Sequence, residues 1–280
     1  MRVADPVDVH GWRGELALDY ERHDHRTVLA RRRHDGPLVV QKPLYPEGDE
    51  VCHTILVHPP GGIAGGDELY LDVSASAGTH VLLTTPAAGK WYRSAGSWAR
   101  QCVRLHAAAR SVVEWLPQET IVFDGARADM ALHVELAASA TFIGWEILCL
   151  GRAGAGERFA KGDCRLLTHI AREDRVVWFE RGCIPAGGAF CTSAAGLASR
   201  TVCATLVAAS PRIDRQLLDL CRGERTTEGR AAVTQTPDVL IARYLGDSSE
   251  AAREYFQRVW AHVRLALAGR AAHTPRIWST

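Results

Sequence analysis

The chain has 280 residues, 47% of them hydrophobic, with 33 basic and 32 acidic side chains and a formal net charge of +1. This length and apolar content support a folded protein of one large or two small domains rather than a disordered chain. The balanced charge argues against a general nucleic-acid binder, because phosphate contacts require a surplus of Lys and Arg. No apolar run reaches the roughly 18 residues of a membrane-spanning helix. The opening residues, MRVADPVDVHGW, lack the pattern of a signal peptide, so we expect a cytoplasmic protein without a membrane partner.

Strand signals dominate the chain until about residue 210. About a dozen segments of roughly five to nine residues are rich in Val, Leu, Ile, Thr and aromatic residues, and Gly, Pro or Asp separates them. The clean alternation in ELYLDVS, residues 68–74, predicts one buried and one exposed face. Many short strands with few helices between them favour a large antiparallel or coiled β structure over a parallel βαβ sheet.

Helical periodicity occurs only near the end of the chain. A first helix is predicted over residues 212–223, with an apolar face made of Ile213, Leu217, Leu220 and Cys221. A second begins at an N-cap on Ser248 or Ser249 and ends at Gly269. Its apolar stripe consists of Ala252, Tyr255, Phe256, Val259, Val263, Ala266 and Leu267. Residues 238–246 predict a buried strand between the helices. We therefore expect a single domain over residues 1–280, with a β body to about residue 210 and a helix-containing part over 211–280.

A glycine-rich segment, HPPGGIAGGD at residues 58–67, resembles a phosphate-binding loop only superficially. It lacks the GxxxxGK[ST] spacing, and acidic residues stand where the lysine should be. It also lacks GxGxxG, and a strand rather than a helix follows it. The remaining interpretation is a tight bend that brings His58 and Asp67 near each other, with Asp67 accepting N–H bonds from the turn.

Signatures of a metal site or a catalytic nucleophile are missing from the sequence. There is no HExxH, CxxC or GxSxG, so neither a closed zinc site nor a hydrolase elbow is indicated. Three acidic residues do stand inside apolar strands, namely Glu114, Glu146 and Glu180. Carboxylates are rarely buried without a partner or a function. They either face solvent on the exposed side of a strand or line a polar interior that passes a cation.

Six motifs taken in order are more specific than any one of them. They are HPPGGIAGGD, TTPAAGKWYRS (84–94), EWLPQETIVFDGA (114–126), WEILCLGRAGAGERF (145–159), VLIARYLG (239–246) and PRIWST (275–280). Together they closely resemble the UreD (UreH) family of urease accessory proteins over nearly the whole chain. The sequence departs from the usual TTPGA-[ST]-K pattern of the family, with Ala87 for glycine, Gly89 for the hydroxyl residue and Trp91 where Phe is common. Residue 89 therefore has no hydroxyl with which to contact an ion.

The resemblance implies a fold and a function. UreD-like proteins are not enzymes, and they form a β-rich, helix-like stack of strands with a few helices. Here this means a large β-helix-like stack with two C-terminal α-helices. The family binds apo-urease and UreF, and UreF recruits the GTPase UreG. The assembly delivers nickel to urease, and the scaffold is thought to contain a polar tunnel for it. No tightly bound cofactor is expected, only nickel(2+) in transit.

The nickel path can be assigned to residues only as a hypothesis, from side-chain type and location. Its proposed metal-contacting members are His58, Asp67, Glu114, Glu146 and Glu180, with Thr84 and Thr85 as polar lining. Oxygen and imidazole groups that hold the ion weakly suit transit better than a tight cage. For Asp67 the competing role is turn capping.

Partner-binding residues are expected on the aromatic C-terminal segment. The candidates are Tyr255, Phe256, Trp260 and Trp278. The competing interpretation is that these rings pack on the protein's own sheet. Two other functions stay open: a pure adaptor that never contacts nickel, and a hydrolase with paired carboxylates near His58 and Asp67.

Overall fold

The chain passes repeatedly between two sheets, so the backbone winds as a β-solenoid of about four turns. The structure is a computed structural model that describes residues 11–279. The predicted β-helix-like stack is confirmed. The alternation of apolar and polar residues drives this architecture, because each strand presents one face to the space between the sheets.

The first sheet has seven strands in the order β14-β13-β11-β8-β5-β1-β2. Its five central strands are parallel, and an antiparallel hairpin closes each end. The strands are β1 (Arg13–His23), β2 (Arg26–Asp35), β5 (Glu68–Ala75), β8 (Ala99–Ala107), β11 (Arg127–Leu136), β13 (Asp163–Arg172) and β14 (Arg175–Pro185).

The second sheet has ten strands, eight of them in the order β16-β17-β15-β12-β9-β6-β4-β3, with β7 and β10 paired beside β12. It is parallel from β4 to β12 and antiparallel from β12 to β16. The strands are β3 (Val39–Val40), β4 (Val51–Val57), β6 (His80–Thr84), β7 (Gly89–Trp91), β9 (Val112–Trp115), β10 (Thr120–Val122), β12 (Thr141–Leu150), β15 (Val202–Ala209), β16 (Arg230–Thr236) and β17 (Val239–Gly246).

Two long helices cover the outer face of the ten-stranded sheet. They are α2 (Arg215–Gly223) and α3 (Ser249–Ala268), and a single-turn helix, α1 (Ala189–Thr192), precedes them. The Asp214 carboxylate caps α2, and the Ser248 hydroxyl accepts the Ala251 N–H at the start of α3. Gly269 ends α3 in the left-handed region at φ 69°, as its sequence predicts. None of the helices in residues 11–279 is long and apolar enough to cross a membrane.

The predicted helix faces need two corrections. In α2 the buried residues are Leu217, Leu218 and Cys221, whereas Leu220 is exposed. In α3 Ala266 is exposed, and the buried stripe instead includes Trp260 and Arg264. Arg264 was not expected in the buried stripe because it is charged, but buried carboxylates of Glu47 and Glu114 offset its charge.

Apolar side chains form three clusters in this three-layer arrangement. One cluster lies between the ten-stranded sheet and the helices. The other two lie between the sheets, the first around Leu105, Phe142 and Val207 and the second around Trp91 and Leu148. The division of the interior into two apolar parts positions the candidate site.

Candidate functional site

A cavity of about 760 Å³ lies between the two sheets towards their antiparallel ends. Its walls come from β11, β13 and β14 on one side and from β12, β15 and β17 on the other. Most of the lining is apolar, but a band of polar side chains crosses it. The members of this band are Glu146, Thr168, Glu180, Thr205 and Arg243.

Strand register places these polar side chains at one level. Glu146 is opposite Thr205, which is opposite Arg243, on three neighbouring strands. On the facing sheet Thr168 is opposite Glu180. Because side chains alternate along a strand, residues two positions away share this interior face.

Those neighbouring positions belong to different apolar clusters. Val207 and Ile241 lie in the first interior cluster, while Cys203 and Leu245 pack against the second. The polar band therefore separates the two parts of the interior. This band is the feature that a cation could use to pass between the sheets.

Glu146 is the most perturbed member of the band. Its Oε1 atom is buried and has no hydrogen-bond partner within residues 11–279, although the side chain keeps some accessible surface where it lines the cavity. Burial raises the pKa of Glu146 to about 7, and a hydrogen bond with the Thr120 side chain opposes this rise. The carboxyl is thus balanced between its protonated and charged forms near neutral pH.

Glu180 is closer to solvent and already has a partner. Its Oε1 is 2.8 Å from Arg243 Nη1, and both side chains are partly exposed. Arg243 also donates to the Thr205 hydroxyl at 3.1 Å. This ion pair stands at the rim of the cavity, whereas Glu146 lies within it.

Glu114 lies on the opposite face of the same sheet, beneath α3. Its Oε1 accepts from His80 at 2.6 Å and from Arg264 at 2.9 Å, and its Oε2 accepts from Trp260 Nε1 at 2.6 Å. Burial acts to raise the pKa of Glu114, but the hydrogen bond from His80 and the charge of Arg264 outweigh that effect. The pKa of Glu114 is therefore lowered from its ordinary value. The sequence analysis proposed the same role for Glu114 as for Glu146 and Glu180. In the structure Glu114 instead binds side chains of the C-terminal helix.

The same network reaches Glu47. Arg264 makes a bidentate contact to Glu47 at 2.7 and 2.8 Å, and His53 Nε2 is 2.6 Å from the Glu47 carboxylate. Burial opposes ionisation, yet the bonds from His53 and Arg264 lower the pKa of Glu47 to about 2. The network therefore contributes stability above the ordinary glutamate pKa of about 4.5, and that contribution is lost as pH falls towards about 2.

His58 and Asp67 lie at the glycine-rich loop, outside the cavity lining. The Asp67 carboxylate accepts the Ala64 N–H at 2.7 Å and the Trp12 N–H at 2.8 Å. His58 is half-buried, and burial lowers its pKa while the nearby Asp67 charge acts in the opposite direction. These contacts match the turn-capping role of Asp67.

We expect Asp67→Ala to lower the free energy of unfolding by about 0.5–1.5 kcal/mol, because two exposed backbone N–H groups exchange a carboxylate acceptor for water. Urea unfolding would measure the loss. Asp67→Asn should recover part of it, since the amide oxygen can still accept. An Asp67→Ala protein with the stability of the wild type would contradict the turn-capping role.

The two predicted threonines also lie outside the cavity lining. Thr84 is buried, donates to the Leu116 carbonyl at 2.6 Å and accepts from Trp278 Nε1 at 2.7 Å. Thr85 donates to the Ala87 carbonyl and accepts from the Gln118 N–H. Both hydroxyls are thus engaged in holding turns and the C-terminal segment.

The aromatic residues proposed as a partner surface are core residues. Tyr255, Phe256 and Trp260 are at most 1% exposed and pack against the ten-stranded sheet. Trp278 is partly buried, with its ring 5.5 Å from that of Trp145. The chain's own sheet buries these rings, so the proposal of an exposed aromatic surface on α3 needs correction.

Of the five residues proposed to contact nickel, the structure brings two together in one cavity, Glu146 and Glu180. Within residues 11–279 no group of three or more His, Cys, Asp or Glu is arranged to hold a metal ion. The sequence did not indicate Thr168, Thr205 or Arg243, because their common level depends on register between strands far apart in the chain. The alternation within each strand indicates which of its residues share a face, and it is the signal in the sequence that could have helped to find them.

The fold and the cavity define a class of protein: a helix-covered β-solenoid with a polar band through its interior. The family model described as "UreD urease accessory protein" matches residues 12–279. The chain belongs to the UreD family of urease accessory proteins.

Similar proteins bear the name urease accessory protein UreD. The one from Azoarcus sp. (strain BH72) is 52% identical over 270 residues, covering 96% of this chain and 95% of that protein. The one from Dechloromonas aromatica (strain RCB) is 50% identical over 282 residues, covering 99% and 98%. The one from Pseudomonas aeruginosa is 46% identical over 270 residues, covering 96% and 95%.

Proposed function

We propose that this chain is a urease maturation factor that binds apo-urease and UreF, with the GTPase UreG joining through UreF, and passes nickel(2+) through its interior. In this role the chain is a scaffold and conduit and catalyses no reaction. Family membership and the names of its relatives support a part in urease maturation. The polar band between the two apolar clusters supports the conduit.

The observation that carries the proposal is the Glu146 carboxyl in its cavity. A buried carboxylate oxygen without a hydrogen-bond partner is unfavourable, and binding a proton or a cation stabilises it. A pKa of about 7 lets an arriving Ni²⁺ displace the proton near neutral pH. Among residues 11–279 one such carboxylate lies deep in the cavity, so the ion would be held weakly and would be released readily.

The ion pair at the rim gives the cavity a controlled entrance. The Glu180 carboxylate attracts cations, but it is already paired with Arg243, whose Nη1 is 2.8 Å from Glu180 Oε1. Passage would require the Arg243 guanidinium to swing away, which is feasible because both side chains are partly exposed. We restrict the proposed path to Glu180, Thr205 and Glu146, since the oxygens of Glu114 and Thr84 are engaged on the other face of the sheet.

The test is co-expression of the urease subunits and the other accessory proteins with and without this chain, followed by nickel analysis of the purified urease. The proposal expects both urease activity and nickel content to require the chain. Equal activation without it would contradict the proposal. If the chain is required but every cavity variant loads nickel normally, the chain is an adaptor rather than a conduit.

A further inference from the structure

Two histidines face each other on the outer surface of the seven-stranded sheet, away from the cavity. His133 on β11 and His169 on β13 are directly opposite in the parallel register. Their ring centres are 6.0 Å apart. Both side chains are half-buried, and neither makes a hydrogen bond or ion pair within residues 11–279. Their nitrogens are therefore available to an external ligand.

The spacing of the rings suits a shared metal ion. A metal–nitrogen bond of about 2.0–2.1 Å puts the ion about 3 Å from each ring centre, so one ion can contact both imidazoles if the N–metal–N angle is wide or the rings turn slightly towards each other. Adjacent positions on paired strands are held rigidly by the ladder, which limits the entropy lost on binding. Neutral imidazole is the ligating form. Burial, together with the proximity of His169 and Arg104, lowers the pKa of His133 and favours that form.

The surrounding charges are compatible with a cation. Arg104 is the register neighbour of His133 on β8, and its charge is offset by Asp72 at 3.5 Å. Glu135, two residues along the same face of β11, adds a negative charge nearby. On the other side Phe179 packs edge-on against His169 with ring centres 6.2 Å apart, which restricts the rotation of that imidazole.

We propose that His133 and His169 form a bidentate surface site for a first-row divalent cation such as Ni²⁺, with water completing the coordination. Imidazole ligands select Ni²⁺, Cu²⁺ and Zn²⁺ over Mg²⁺ and Ca²⁺. With two protein ligands the site is weak and exchangeable, unlike a structural zinc site, which takes four. The site is distinct from the interior path and does not depend on it.

The test is calorimetric titration of the full-length protein with NiCl₂ alone. The wild type should have a binding step that His133→Gln and His169→Gln each weaken by about tenfold or more, as expected when a metal ligand is lost. The double variant should lose little beyond either single variant, because one remaining imidazole cannot chelate. Bound Cu²⁺ should give an electron paramagnetic resonance spectrum with two nitrogen ligands in the wild type and one in each single variant.

His106→Gln is the matched control, because His106 is exposed on the same face but its Nδ1 is engaged by Glu135 at 2.9 Å. It should leave the binding step unchanged. Glu146→Gln should also leave this step unchanged, so failure of the surface site and failure of the interior path are separable. Unchanged nickel binding in the double variant, or two equal and additive losses in the single variants, would overturn the proposal.

Discussion

Replacing Arg264 by Met should lower the free energy of unfolding by about 3–5 kcal/mol, the usual cost of removing one partner from a buried ion pair. The guanidinium is fully buried and is the shared cation for Glu47 and Glu114. Its loss leaves two buried carboxylates without their shared guanidinium, and it removes the ion contacts that tie α3 to the solenoid. Urea unfolding at pH 7 would measure the change.

Two further variants make the Arg264 result specific. Arg258→Met, on the same helix but with a side chain that is 38% exposed, should cost no more than about 1 kcal/mol. Adding Glu47→Gln and Glu114→Gln to Arg264→Met should recover much of the loss, because no buried charge then remains unpaired. A loss under about 1 kcal/mol for Arg264→Met would mean that the network does not hold the helix.

Glu146→Gln should stabilise the protein at alkaline pH and not at acidic pH. The pKa of Glu146 is raised from 4.5 to about 7, so the folded state binds more protons than the unfolded state between these values. The wild type therefore loses stability as pH rises through this window, by up to about 3 kcal/mol. Glutamine carries no charge, so the variant escapes this loss.

The measurement is the difference in unfolding free energy between variant and wild type at pH 5 and pH 8. We expect a small difference at pH 5 and a gain of about 2–3 kcal/mol for the variant at pH 8. Glu47 and Glu114 titrate in both proteins and cancel in the difference. A difference that does not change with pH would mean that Glu146 is ionised in the fold with an ordinary pKa.

Glu114 and Glu146 show which part of the site the sequence could predict and which part it could not. Both are acids within apolar strands, and sequence reasoning treated them alike. The structure places them on opposite faces of one sheet, with the pKa of Glu114 lowered and that of Glu146 raised. Strand alternation alone cannot say which face meets the helices, because that depends on how the ten-stranded sheet packs.

Local features were predictable because their causes are local. Ser248 and Gly269 bound α3 through capping chemistry contained in a few residues. Arg264 was not predicted to be buried, because its partners are 150 and 217 residues away in the chain. Similarly, Glu146 and Glu180 line one cavity only because two different sheets pack face to face.

The proposed passage of nickel past the Glu146 carboxyl is tested most directly by the nickel content of urease matured with Glu146→Gln. Glu21→Gln, which removes an exposed acid from β1, three strands away from His133, is the matched control. Co-purification of urease with each variant would establish that the scaffold still assembles. We expect markedly less nickel per urease with Glu146→Gln and normal nickel with Glu21→Gln. Normal nickel with both variants, from complexes that assemble equally well, would contradict the proposed passage of nickel past Glu146.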